Sequence, residues 1–189
     1  MKSTAILIVL LCVFLLPIHS NQLEQQEDCS LWTFIDSGIV DALWSPHLSI
    51  QAGIGVSIAP GVEIELPCTY ILDRQGGHEQ LLELLLELKY HPWGTGPFIG
   101  VSLAHMCLFV GNSVPQERVH YLNSISFGYT YQLMDKFRIE PLIVFTDPSD
   151  SFEDSWSYIH ALVPTYSRFR FRLRFGWTFV SFSTSDLPK

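Results

Sequence analysis

Apolar and polar residues alternate with period two along most of this chain, as expected of strands with two chemically different faces. In HLSIQAGIGVSI, residues 47–58, Leu48, Ile50, Ala52, Ile54, Val56 and Ile58 share one face. Ser49, Gln51, Gly53, Gly55 and Ser57 share the other. Residues 59–61, APG, read as a tight turn. The next strand, 62–72, sets Val62, Ile64, Leu66, Cys68, Tyr70 and Leu72 against Glu63, Glu65 and Thr69, with Pro67 as a residue that strands tolerate poorly. Residues 81–91, LLELLLELKYH, fit two periods. A strand opposes Leu82, Leu84, Leu86, Leu88 and Tyr90 to Glu83, Glu87 and Lys89, whereas a helix aligns Glu79, Glu83 and Glu87. Leucine favours the helix, but alternation on both sides favours the strand.

The same rhythm continues beyond the hairpin turn HPWGTG, residues 91–96. Ile99, Val101, Leu103, Cys107 and Phe109 oppose Gly100, Ser102, Ala104 and Met106, with His105 interrupting the apolar face. Tyr121, Ile125, Phe127, Tyr129 and Tyr131 oppose His120, Ser124, Ser126, Gly128, Thr130 and Gln132. After a short turn at 134–136, Phe137, Ile139, Ile143 and Phe145 oppose Arg138 and Glu140. The last strand holds SRFRFRLRFGWTF, residues 167–179, in which Arg168, Arg170, Arg172 and Arg174 alternate with Phe169, Phe171, Leu173 and Phe175 before Trp177 and Phe179. The segment 31–43 alternates least, since Leu31, Ile35, Ile39 and Leu43 also suit an amphipathic helix; it is read as the first strand. The polar stretch from residue 146 belongs to a long loop reaching Pro164.

These segments predict an all-β chain of eight strands. Turns at 59–61, 92–96 and 134–136 fall at one end, and loops at 44–47, 73–78, 111–118 and 147–164 at the other. Short turns opposite long loops characterise outer-membrane barrels. The expected fold is an eight-stranded antiparallel up-and-down transmembrane β-barrel.

Composition sharpens this reading. Of 189 residues, 48% are hydrophobic and 16% charged, and the net charge of −8 argues against nucleic acid as a partner. Residues 1–20 have the layout of a secretory signal peptide: Lys2, an apolar run from Ala5 to Ile18, and the small Ser20. Residues 21–30 then form an N-terminal segment, 31–180 the barrel and 181–189 a C-terminal tail. Beyond the signal, Cys29, Cys68 and Cys107 are odd in number and match no metal-site spacing.

With the polar faces turned inward, Glu63, Glu65, Glu83, Glu87 and Glu140 meet Lys89, Arg138, Arg168, Arg170, Arg172 and Arg174 in the lumen. An eight-stranded barrel is narrow enough to be filled by side chains, and unpaired charges inside would cost several kcal/mol each. An ion-pair network is therefore expected. Tyr90, Trp93, Tyr129, Tyr131, Phe137, Trp177 and Phe179 fall near the short-turn end as an aromatic girdle.

The chain resembles the small bacterial outer-membrane barrels of the OmpA/OmpX-type eight-stranded class, and more closely an uncharacterised family of such barrels. The resemblance is carried by residues 39–66, 88–105 and 126–141, and it is one of strands and turns. It implies export to the bacterial outer membrane, insertion by the barrel-assembly machinery and contact with outer-membrane lipid. Such barrels commonly end on an aromatic residue, whereas here VSFSTSDLPK follows Phe179.

Chemistry is not legible in motifs. His47, His78, His105, His120 and His160 show no metal-ligand spacing, and no nucleophile elbow or phosphate loop occurs. No cofactor, metal or catalytic residue is assigned, and the expected role is structural or interactive. Two alternatives stand beside it. One is passage of small or hydrophobic solutes, for which Gly53, Gly55, Gly100, Ser102, Ala104 and Gly128 would leave space. The other is lipid modification, with His78, Asp73, His160 and Ser157 toward the loop end. Acidic residues Asp147, Asp150, Glu153 and Asp154 make loop 147–164 a candidate surface for an extracellular ligand.

Overall fold

A computed structural model describes residues 28–36, 38, 40, 48–72, 80–110, 119–134 and 136–183. The expected signal peptide, the loops 44–47, 73–78 and 111–118, and Asp73 and His78 lie outside these residues.

Nine strands form one closed antiparallel sheet: β1 (Asp28–Asp36), β2 (Leu48–Ala59), β3 (Val62–Leu72), β4 (Gln80–Tyr90), β5 (Gly96–Val110), β6 (Val119–Leu122), β7 (Ser124–Met134), β8 (Phe137–Thr146) and β9 (Phe169–Ser183). Only Asn123 separates β6 from β7, and both pair with β5, so they act as one wall strand. Each strand pairs with its chain neighbour, and β9 returns to β1 to close an eight-stranded up-and-down ring. Pairing runs from Asp28 to Ser183, beyond the limits of 31 and 180 drawn for the barrel on both sides. Among the described residues no helix is long and apolar enough to cross a membrane, which says nothing of strands.

Local chemistry explains the short end. Pro60 and Gly61 join β2 to β3, with the positive φ of 69° at Gly61 suiting a residue without Cβ. The turn after β4 uses Gly94 and Gly96 at positive φ, and the His91 amide donates to the Gly61 carbonyl at 2.7 Å, tying the two turns together. Pro67 lies within β3 after all. It pairs with Gly53 on β2, while the ladder to β4 skips residues 66 and 67, the place where the missing amide hydrogen would be needed.

Segment 80–90 is a strand, as its flanks implied; of the described residues in segment 31–43, read as the first strand, those up to Asp36 are strand, within β1, and Val40 is helical. The 147–164 stretch is not all loop. Glu153–Leu162 forms a helix, α1, at the long-loop end. Trp156, Ile159 and Val163 recur at helical spacing and bury against Ile71, Leu81, Cys107, Phe109 and Leu122. Acidic Glu153 and Asp154 lie in its first turn and His160 in its last, matching the helix dipole.

The wall is polar inside and apolar outside. Ile50, Ile54, Leu66, Leu84, Ile99, Leu103, Phe127, Phe175 and Trp177 are exposed, while Glu65, Glu83, Glu87, Lys89, Arg138, Glu140, Arg170, Arg172 and Arg174 are buried. Alternation changes phase once within β5. Leu86 pairs with Ala104 and Glu87 with Ser102, so Leu103 is an extra residue, a bulge. Leu103 and Ala104 both face out, and beyond them His105, Cys107 and Phe109 turn inward, opposite to the face that unbroken alternation assigns to Cys107 and Phe109.

Candidate functional site

The lumen is the candidate site, because it concentrates the charged side chains of the described strands. Strand register sets the network. On β3, β4 and β9, inward positions recur every second residue, which places Glu63 beside Lys89 and Glu65 beside Glu87 across one ladder. Across another, Glu140 lies beside Arg174.

From the short-turn end, the Arg138 guanidinium reaches both oxygens of Glu63 at 3.1 Å and pairs with Glu140 at 2.5 Å. Lys89, with no exposure to solvent, donates to Glu65 Oε1 and to Glu140 Oε2, each at 2.7 Å. Arg174 continues the chain, donating to Glu65 Oε2 at 2.8 Å and lying 3.5 Å from Glu87 Oε2. Its Nε donates to Gln51 Oε1 at 2.7 Å, and Gln51 in turn donates to Thr69. Ser126 donates a short hydrogen bond to Glu87, and Thr130 one of 3.0 Å to Glu140. Nearer the loop end Arg172 faces Asp36 and Ser49, both at 3.4 Å, and Arg170 pairs with Glu83 at 2.7 Å.

The structure therefore brings together Glu63, Glu65, Glu83, Glu87, Lys89, Arg138, Glu140, Arg170, Arg172 and Arg174, but not Arg168. Arg168 precedes β9, is partly exposed, and pairs with Asp150 at 2.5 Å and with Glu153 at shorter range. These hydrogen bonds raise its pKa above the ordinary arginine value. The alternation of arginines simply begins one residue before the strand does. Asp36, His91 and His105 are lumen members that the alternation analysis did not assign. Asp36 was hidden by the weak pattern of 31–43, His91 by its place in a turn and His105 by the bulge.

Aromatic rings fill the space between the ions. Arg138 lies 4.3 Å from the Trp32 ring, Arg174 4.7 Å from Phe34 and Lys89 4.3 Å from Phe98. The inward glycines do not leave open space, contrary to the expectation for a solute path. A Cβ on Gly53 would meet the Phe34 ring, one on Gly55 the Trp32 ring and one on Gly128 the Phe98 ring. On Gly100 it would meet Ser126 and Glu87. Ala104 points outward and could not line a lumen.

Above the network the mouth closes with apolar groups under α1, and Tyr166 is fully buried among them. Its hydroxyl donates a short hydrogen bond to Glu83, and burial pushes its pKa well above the ordinary tyrosine value. On α1, Ser157 donates to Glu153 at 3.2 Å and the His160 ring bonds the Tyr166 carbonyl at 3.2 Å. Asp147 is buried, Asp150 and Glu153 are held by Arg168, and Asp154 is exposed.

Outside, at the short-turn end, Trp93 is 71% exposed and Trp177, Tyr90 and Phe179 are half-exposed or more. The Tyr129 and Tyr131 rings lie tilted against each other with centroids 4.4 Å apart, and Phe137 lies 6.5 Å from Trp177. These residues share one rim of the wall.

No protein-family model matches the chain, and neither the curated proteins nor the solved structures contain a match to it.

Proposed function

We propose that this chain is a bacterial outer-membrane β-barrel protein with a structural or interaction role, its lumen sealed by the Glu/Arg network. The observation that carries the proposal is the inversion of the wall. Contiguous exposed isoleucine, leucine, valine and aromatic side chains on every side exceed what a soluble surface tolerates. In hydrocarbon the same surface costs nothing to expose, and a closed ring leaves no strand edge unsatisfied. Buried ions in the centre are tolerable because each lies against an opposite charge or hydrogen-bond partner.

This reading gives each part a role. The apolar band meets outer-membrane lipid, and the rim of Tyr90, Trp93, Tyr129, Tyr131, Phe137, Trp177 and Phe179 lies at a lipid–water interface. Residues 1–20 direct export, and the barrel-assembly machinery inserts the folded wall. The capped end, with α1 and loop 147–164, faces outward and presents Asp154 and neighbouring polar groups to an extracellular ligand. The resemblance to OmpA/OmpX-type barrels agrees with this assignment and rests on strands and turns alone.

Membrane fractionation combined with gel mobility before and after heating tests the proposal. The expected result is an outer-membrane protein whose unheated form migrates differently from the heated one. A soluble protein with heat-independent mobility would overturn it. Planar-bilayer recording tests the seal: no stable large openings are expected, and their presence would remove the plugged lumen from the account.

A further inference from the structure

We infer that Glu83, His105 and Cys107 form a buried site for a zinc-class divalent cation beneath α1. The three residues come from β4 and from the part of β5 beyond the bulge, and each is buried. Their donor atoms lie within 4.8 Å of one another. His105 Nε2 is 3.2 Å from Glu83 Oε1 and 3.7 Å from Cys107 Sγ. Zinc bonds of about 2.0–2.2 Å to nitrogen or oxygen and about 2.3 Å to sulfur, at tetrahedral angles, place ligand atoms roughly 3.4–3.6 Å apart. The observed separations bracket that range.

Protons alone account poorly for the arrangement. Nε2 has a single lone pair or a single N–H, yet it faces both a carboxylate oxygen and a sulfur in a closed pocket. The ring is not held there by its other side, because Nδ1 is buried without a hydrogen-bond partner among the described residues. A cation would satisfy all three donors at one point. Thiolate, imidazole and carboxylate are the ligand types that select zinc-like ions over calcium or magnesium.

The surroundings support the same geometry. Arg170 binds Glu83 Oε2 at 2.7 Å, fixing the carboxylate with Oε1 turned toward His105. The Tyr166 hydroxyl donates to the same Glu83 Oε1, so a further oxygen adjoins the site. On binding, the Cys107 thiol gives up its proton to solvent; with Glu83 shared between the ion and Arg170, the thiolate offsets one of the two charges that the ion brings. Residues Ile159, Val163 and Tyr166 are fully buried above it, so the ion enters while the barrel folds and serves a structural role. The ligands are hard to see in sequence because Glu83 lies on the strand before the His105 and Cys107 pair.

The test uses the full chain refolded in detergent with cobalt(II), then zinc, with folding followed by heat-modifiable mobility. One ion per chain is expected, with a thiolate-to-cobalt charge-transfer band that zinc abolishes. Cys107→Ser removes the band, whereas Cys68→Ser, altering an exposed cysteine on the outer wall, keeps it. Should Cys107→Ser not fold, His105→Gln serves as the second variant, and native mass spectrometry of the unaltered chain counts the ion directly. A folded chain that binds no ion, or a band that survives in folded Cys107→Ser, would overturn the site. Because the gel reports folding separately, such a failure leaves the outer-membrane reading standing.

Discussion

Replacing Arg174 with methionine probes the lumen network where one cation meets Gln51, Glu65 and Glu87. The substitution removes a buried cation but keeps an unbranched side chain that can still lie against Phe34, 4.7 Å from the guanidinium carbon. Three partners are affected. Glu65 retains Lys89 at 2.7 Å, so its loss is partial. Glu87 loses the cation 3.5 Å away and keeps its hydrogen bond from Ser126. Gln51 loses the donor to its Oε1. Breaking a buried pair by deleting one partner costs about 3–5 kcal/mol, and the retained Lys89 puts this case at the lower end. An orphaned amide oxygen adds about 1 kcal/mol. The expected loss is therefore about 4 kcal/mol, a large share of the roughly 5–15 kcal/mol available to a domain. Denaturant unfolding in detergent, read by tryptophan fluorescence and gel mobility, measures it. Adding Glu87→Gln to Arg174→Met should recover about 1–2 kcal/mol, since it neutralises the stranded carboxylate. A single variant within about 0.5 kcal/mol of the parent, or a double variant no better than the sum of its parts, would refute the idea that lumen charges are held by one another.

Other consequences can be checked in the same assay. Arg172→Glu should destabilise far more than Phe171→Leu, because it sets an acid against Asp36 inside the barrel while the other change exchanges one apolar group of the outer wall for another. Arg168→Gln should cost under about 1 kcal/mol, as its pairs with Asp150 and Glu153 are exposed, and the small effect should fade at high salt. Ile159→Ala should cost about 2–4 kcal/mol by opening a cavity under α1, and limited proteolysis should then cut within 147–168 while the wall stays intact.

The wall itself was legible because its two faces differ so strongly. Glu63 and Glu65, Glu83 and Glu87, and the arginines of 170–174 each announce an inward position by alternation, and closing eight strands brings them together. What escaped were features set by tertiary packing. The bulge at Leu103 reverses the phase of β5, so the inward turn of His105 looked like an interruption and that of Cys107 and Phe109 was assigned to the wrong face. Pairing with β2 and β9 makes residues 28–36 a strand despite weak alternation, and Asp36 came inward unannounced. The helix α1 was visible in the spacing of Trp156, Ile159 and Val163, but the acidic and serine-rich start of that segment drew attention to a loop instead. Arg168 was carried inward by a pattern that begins one residue before its strand. The glycines looked like space because the rings of Trp32, Phe34 and Phe98 that occupy it come from other strands.

Sidedness can be measured directly by reconstituting single-tryptophan variants into bilayers with bromine on the acyl chains. The account predicts strong quenching of Trp177, half-exposed on the outer wall, and little quenching of Trp32, buried in the lumen at 1% exposure. Equal quenching of the two, or an unquenched Trp177 in a folded protein, would contradict a wall that meets lipid and a lumen that holds the charge.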